Sequence, residues 1–297
     1  MRPSIFYITL LCFCGGTLVA QQHKVVGVVT DAFHNPVPFC VVKVLHADVS
    51  TYCNEYGGFT IAAHPGDKLL FHCVGFEDQT VVAQNDSVVV RLNVQTVNMD
   101  DVAITAKKGK GYKNRIGTLG KKRLKPYSIF TGEIGTETAI FLKADSSKNG
   151  YIMEVCFYIL KEGIPDSRFR VHVYDIDTYY LPGKDLTDSN VIVHGNAGNE
   201  WVKVDLSARS IPVGRGVFVS MEWIEGYNNS KKYYSSPKYF QQPPFQGQVL
   251  ASTEGYSRQQ SLLYIKRSLH AEWKFQAIPT FRKSNFMNPM VYATYRY

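Results

Sequence analysis

The chain has no apolar stretch long enough to cross a bilayer as a helix. About 20 such residues are needed, and the longest run, Ile5 to Phe13, falls well short. No histidine is followed three places on by glutamate, no H-E-x-x-H occurs and no two cysteines form a C-x-x-C pair, so recognisable zinc ligand sets are missing. A G-x-S-x-G elbow and a phosphate-binding loop are absent too. Nothing in the spacing of apolar residues suggests helices. What is present is period-two alternation over short runs, the mark of half-buried strands.

The N-terminus reads as an export signal. Arg2 precedes the apolar run, and Gly15-Gly16-Thr17-Leu18-Val19-Ala20 supplies small residues before Gln21, which predicts cleavage after Ala20. Leu11 before Cys12 and Phe13 before Cys14 do not fit a lipoprotein anchor. The expectation is an exported protein that is periplasmic, outer-membrane-associated or extracellular, and not membrane-spanning. Four cysteines lie beyond the signal: Cys40, Cys53, Cys73 and Cys156. Alternation puts Cys40 with Val42 and Val44, and Cys73 with Leu69 and Phe71, on apolar faces. Buried free thiols are the expectation, with a Cys40–Cys73 bridge left open.

Charge is unevenly distributed. The formal net charge is +8, yet residues 107–125 alone hold nine Lys and Arg with no Asp or Glu. The rest of the chain is therefore close to neutral, and 107–126 reads as a basic linker between two modules, able to touch an anionic surface. Export and the lack of any helix-turn-helix, zinc-finger or RNP pattern argue against nucleic acid.

In residues 25–106, Gly27-Val28-Val29-Thr30-Asp31, Pro36-Val37-Pro38, Gly57-Gly58-Phe59, Gly66-Asp67 and Val74-Gly75-Phe76-Glu77 punctuate short alternating runs. Strands are expected near 25–31, 40–45, 49–54, 58–63, 68–74, 79–84, 87–93 and 101–105. These signatures resemble the carboxypeptidase-regulatory-like domain, a transthyretin-like β-sandwich of bacterial envelope proteins. Asn54 stands in the place of the family's usual acid, Gly57-Gly58 adds one residue to its turn, Phe76 takes a tyrosine position, and Asp100-Asp101-Val102 matches its closing segment. The resemblance implies an accessory module that spaces or presents a partner domain; it implies no catalytic residue and no cofactor.

Residues 127–297 alternate again. Phe169, Val171 and Val173 oppose Arg170, His172 and Tyr174, and Val217, Val219, Met221 and Trp223 oppose Phe218, Ser220 and Glu222. Loops are expected at 177–190, 195–200, 226–247 and 279–290. The pattern predicts a jelly-roll-like antiparallel sandwich, so the whole chain is expected to be all-β. Phe169 to Glu222 is similar to uncharacterised envelope domains. A small outer-membrane β-barrel is the second alternative, but most runs are shorter than the 9 to 11 residues a membrane strand requires.

Ligand candidates are Trp201, on the polar-facing side of its strand, and the aromatic loop carrying Tyr233, Tyr234, Tyr239, Phe240 and Phe245, because rings beside amides suit stacking on sugar or peptide. Asp175, Asp177, Asp185 and Asp188 are weak candidates for calcium, without EF-hand spacing. The expected role is non-enzymatic binding or scaffolding at the cell envelope, with a glycan or protein partner. The alternative is an envelope glycan hydrolase, for which Glu222 and Glu225 are the first carboxylates to test.

Overall fold

The computed structural model describes residues 23–47, 49–95, 111–118, 135–161, 165–187, 190–224, 249–250, 252–256, 263–266, 271–276 and 286–297. Its architecture is all-β. One 3₁₀ turn, Ser207–Arg209, is the only helical element among the described residues.

The N-terminal module consists of β1 (Lys24–Asp31), β2 (Val41–Val44), β3 (Ser50–Tyr52), β4 (Gly58–Ala62), β5 (Lys68–His72), β6 (Gln79–Val82) and β7 (Ser87–Leu92). Two sheets form, with strand orders β4-β1-β7 and β3-β2-β5-β6. All neighbours are antiparallel except β1 and β7, which run parallel. Alternate residues of these strands, among them Val25, Val29, Val42, Phe59, Ile61, Leu69, Phe71, Val90 and Leu92, meet in one buried core. Seven of the eight expected strands are found in place; the eighth, 101–105, lies outside the described residues. Two glycines are required by close approach of backbone. A Cβ on Gly27 would collide with the Val88 carbonyl oxygen, and one on Gly57, whose φ is +73°, would collide with that of Val29.

The second module begins earlier than its hydrophobic pattern suggests. Its strands are β8 (Lys113–Gly117), β9 (Glu137–Lys143), β10 (Tyr151–Leu160), β11 (Phe169–Ile176), β12 (Pro182–Asp185), β13 (Val191–Val193), β14 (Glu200–Asp205), β15 (Gly216–Trp223), β16 (Val249–Leu250), β17 (Ser252–Tyr256), β18 (Leu263–Lys266), β19 (Lys274–Phe275), β20 (Phe286–Pro289) and β21 (Val291–Arg296). β8 falls inside the stretch expected to be a linker. It pairs with β21 at the edge of a sheet, so five of the 107–126 residues are structural. Only Ile116 of this strand is buried, which is why its cations read as a solvated tether. Likewise β12 and β20 lie in segments expected to be loops, each held by pairing to one neighbour.

One sheet has the order β14-β10-β21-β8, with β16 beside β10; the other runs β12-β11-β15-β9-β18-β19, with β13 beside β11. Chain order alternates between them: β8, β10, β14 and β21 on one side, β9, β11, β15 and β18 on the other. That winding is the jelly-roll-like one expected. A bulge between Ile152 and Glu154 shifts the phase of β10, so that Ile152, Val155, Phe157 and Ile159 all turn inward. Phe157 and Phe169 meet edge to face across the core with centroids 5.4 Å apart. Against the barrel alternative, the described strands of this module make two main sheets over a filled apolar core, with β17 and β20 as a separate pair, and not one closed sheet.

Candidate functional site: a charged ladder beneath the first sandwich

The sheet β12-β11-β15-β9-β18-β19 has an inner face of apolar side chains and an outer face on which the sequence places its polar residues. Strand register aligns those residues in rows. Arg170 lies opposite Glu222, Glu222 opposite Glu137, and Glu137 opposite Lys266, so one row crosses four strands as plus, minus, minus, plus. The next row contains His172, Ser220, Ala139 and Tyr264. Ordinarily such a face is solvated. Here Arg170 is 1% exposed, Glu137 1% and Glu222 2%, because the N-terminal sandwich sits over one end of the sheet.

The seam is specific. Tyr52, at the end of β3, donates its hydroxyl to Glu222 Oε1 at 2.5 Å. Arg170 Nη2 donates to the Phe39 carbonyl oxygen at 2.5 Å while Nη1 bonds Glu222 Oε2 at 2.8 Å. Beside them Arg168 pairs with Glu55 at 3.1 Å and lies over the Phe39 ring, and Asn190 Nδ2 donates to Cys73 Sγ at 3.0 Å.

Two carboxylates side by side in a dry row repel unless each is compensated. Glu137 accepts bonds from Tyr174 OH at 2.7 Å and Ser220 Oγ at 2.5 Å and pairs with Lys266 Nζ at 2.6 Å. His172 bridges the row: Nε2 is 3.1 Å from Glu222 Oε2 and Nδ1 is 2.6 Å from Asp185 Oδ2. Burial by itself would lower the His172 pKa, but the Glu137 charge and the bonds to Asp185 and Glu222 overcome it and raise the value to about 10. The ring is therefore an imidazolium at neutral pH. Burial also opposes ionisation of Glu222, yet the Arg170 guanidinium and His172 hold its carboxyl far below the usual carboxylate range. Tyr52 is pushed upward, first by burial and then by the Glu222 charge, and stays a donor.

Where this row reaches the surface a cleft of about 390 Å³ opens between the modules, lined by His72, Val74 and Asp78 from the first and Glu137, His172, Asp185 and Lys266 from the second. A wider cleft of about 770 Å³ adjoins it, floored by Phe76, Gln95, Lys184, Thr187 and Arg209. His72 Nδ1 and Asp78 Oδ1, 2.6 Å apart, form a half-exposed pair at the rim.

The sequence candidates are distributed elsewhere. Trp201 is on the outer face of the opposite sheet, half-buried, with T-shaped contacts to Tyr158 at 5.2 Å and Tyr292 at 4.8 Å. Tyr233, Tyr234, Tyr239, Phe240 and Phe245 lie outside the described residues, as do Asp188 and Glu225. Asp175, Asp177 and Asp185 do not converge. Asp175 accepts the Lys184 amide, Asp177 caps Tyr179 and Leu181, and Asp185 is spent on His172 and Thr187. Among the described residues no group of three His, Cys, Asp or Glu side chains is placed to hold a metal ion, and no helix is long and apolar enough to cross a membrane.

Arg170, His172, Glu137, Lys266 and Tyr52 were not foreseen as a site. Their signal was an outer face bearing Arg, His, Tyr and Phe where a solvated strand would carry Lys and Asn.

No protein-family model matches the chain, and no curated protein matches it. Among solved structures, the major pilin subunit of Bacillus cereus aligns at 10% identity and a TM-score of 0.18, over 86% of this chain and 70% of that one. A carbohydrate-binding module of the β-sandwich superfamily aligns at 10% identity and a TM-score of 0.17, over 64% of this chain and 80% of that one. Superpositions this loose transfer nothing to the site.

Proposed function

We propose that this chain is an exported, non-enzymatic binding or scaffolding protein of the cell envelope, in which the two sandwiches act as one unit and a glycan or protein segment binds along their shared seam. The observation that carries this reading is the state of Glu222. A glycosidase acid must hold a proton at working pH and face the substrate, whereas Glu222 is buried, ionised, and has both oxygens engaged by Tyr52, Arg170 and His172. What reaches the cleft is a fixed array of donors and acceptors whose charges largely balance. Such preorganised polar groups orient a neutral polyol or a peptide backbone.

The resemblance of residues 25–106 to the carboxypeptidase-regulatory-like domain belongs to the same proposal. Its support is the two-sheet module with glycines at the tight approaches of Gly27 and Gly57. Export rests on the expected signal at residues 1–20.

The test pairs a glycan array and peptide library with a turnover assay on the same ligands, using wild type and His72→Ala/Asp78→Ala. These rim residues are half-exposed, so their loss should leave folding intact. Binding without product, weakened at least tenfold in the double variant, supports the proposal. Product formation, or binding indifferent to the rim, overturns it. Mass analysis of the protein from a producing bacterium should give Gln21 as its first residue; an intact N-terminus would overturn export.

A further inference from the structure

Cys40, Cys53 and Cys73 form a line across the first sandwich. Continuing the strand registers by one residue from Val41, which faces Tyr52 on β3 and His72 on β5, brings Cys40 opposite both Cys53 and Cys73. All three are 0 to 1% exposed and belong to the same core. The two flanking relationships differ. The Cys53 amide donates to the Cys40 carbonyl oxygen at 2.8 Å, which makes that couple a hydrogen-bonded pair. On the other side the Leu45 amide donates to the Lys68 carbonyl oxygen. Five residues along, an odd number of alternations, Cys40 and Cys73 fall at a non-hydrogen-bonded position, where Cα atoms approach to about 4.5 Å rather than 5.5 Å and side chains are closer. Cys53 and Cys73 sit two strands apart, roughly 9 to 10 Å, beyond the reach of a disulfide.

We infer that Cys40 is the shared member of a three-thiol relay, forming a disulfide with Cys73 under oxidising conditions and holding Cys53 beside it as the exchanging thiol. The oxidant is a disulfide compound, small-molecule or protein. A Cys40 thiolate attacks one of its sulfurs, giving a mixed disulfide and releasing the first thiol. The Cys73 thiolate then attacks the Cys40 sulfur, closing the internal bond and releasing the second. Two electrons pass to the oxidant, its S–S bond breaks, and its two sulfurs carry off the two protons. Because the line is sealed in the core, closure belongs to the folding chain. The bond would tie β2 to β5, the inner strands of the sheet whose one end presents Phe39 and Tyr52 to Arg170 and Glu222. It would also take the Cys73 sulfur out of its thiol contact with Asn190. Burial and mutual contact raise the Cys40 and Cys73 pKa values far above the ordinary thiol range, consistent with inertness once folded. Cys156, on β10 of the other module, takes no part.

The experiment refolds the full chain from denaturant in a glutathione and glutathione disulfide buffer, then alkylates free thiols in denaturant and maps the peptides without reduction. Expected is one disulfide per chain joining Cys40 to Cys73, with Cys12, Cys14, Cys53 and Cys156 alkylated. Cys73→Ala should move the bond to Cys40–Cys53, and Cys40→Ala should abolish it. Six alkylated thiols, a predominant bond other than Cys40–Cys73 in wild type, or a disulfide persisting in Cys40→Ala would overturn the inference. These outcomes do not depend on the ligand proposed for the seam.

Discussion

The Tyr52 hydroxyl and Glu222 Oε1, 170 residues apart in sequence and 2.5 Å apart in space, join the two sandwiches at a buried charge. A hydrogen bond to an ionised partner contributes about 1.5 to 3 kcal/mol, and a vacated position leaves the carboxylate partly unsatisfied. Tyr52→Phe should therefore lower unfolding free energy by about that amount in a urea titration. A change under 0.5 kcal/mol would mean that water replaces the hydroxyl and that the seam is open.

Arg170 should matter more. Its guanidinium serves Glu222 and the Phe39 carbonyl oxygen together, so Arg170→Met leaves a buried carboxylate short of its main counter-charge. Removing one partner of such a pair costs about 3 to 5 kcal/mol. Wild type is expected to unfold in one transition, and Arg170→Met in two, as the sandwiches lose their coupling. Adding Glu222→Gln should restore part of the loss, because the orphaned charge goes with it. Calorimetry on the three proteins distinguishes this from a simple packing defect, which the second substitution would not relieve.

Backbone proximity gives a prediction confined to the first module. Gly57→Ala places a side chain at φ +73° against the Val29 carbonyl oxygen. Left-handed backbone at a non-glycine residue alone costs on the order of 1 to 3 kcal/mol, and the collision adds to it. Gly66, also at positive φ but with open space around it, is the matched control, and Gly66→Ala should cost only the conformational part. Equal losses would show that the Val29 contact relaxes freely.

Local physics made the fold legible and left the site hidden. Val88, Val90 and Leu92 on one face, and Phe169, Val171 and Val173 on another, announce strands because a period of two is visible within one segment. The core cysteines follow from the same rule. By contrast, whether Arg170 and His172 meet water depends on which body covers the outer face, and alternation along β11 says nothing of that. Glu222 draws attention as an acid because its type suits hydrolysis; its partners Tyr52, Arg170 and His172 come from two strands, one in each module. Lys113–Gly117 escaped notice for a related reason. An edge strand with one buried residue, Ile116, has too little apolar pattern to compete with the nine cations of residues 107–125.

Protonation of the ladder should give stability a skewed pH profile. In the folded chain His172 is surrounded by Glu137 of β9, Glu222 of β15, Asp185 of β12, Arg170 and Tyr174 of β11 and Lys266 of β18, and its pKa is raised from 6.5 to about 10. The folded state thus holds a proton that the unfolded chain releases. The stabilisation is complete below about pH 6.5 and declines as pH climbs toward 10, with a limiting slope of about 1.4 kcal/mol per unit. Glu222 acts in the opposite direction: its depressed pKa stabilises the fold above about pH 4.5, and that contribution fades as the solution becomes more acidic. Urea midpoints should accordingly be highest near pH 5 to 6.5 and fall toward pH 9, before Tyr52 and Tyr174 begin to ionise in the unfolded chain. In His172→Gln the alkaline decline should flatten whatever the variant's absolute stability, since the group that loses its proton is gone. A wild-type midpoint constant from pH 6 to 9 would show that His172 is neutral in the fold and that Glu137 and Glu222 are compensated by Lys266 and Arg170 alone.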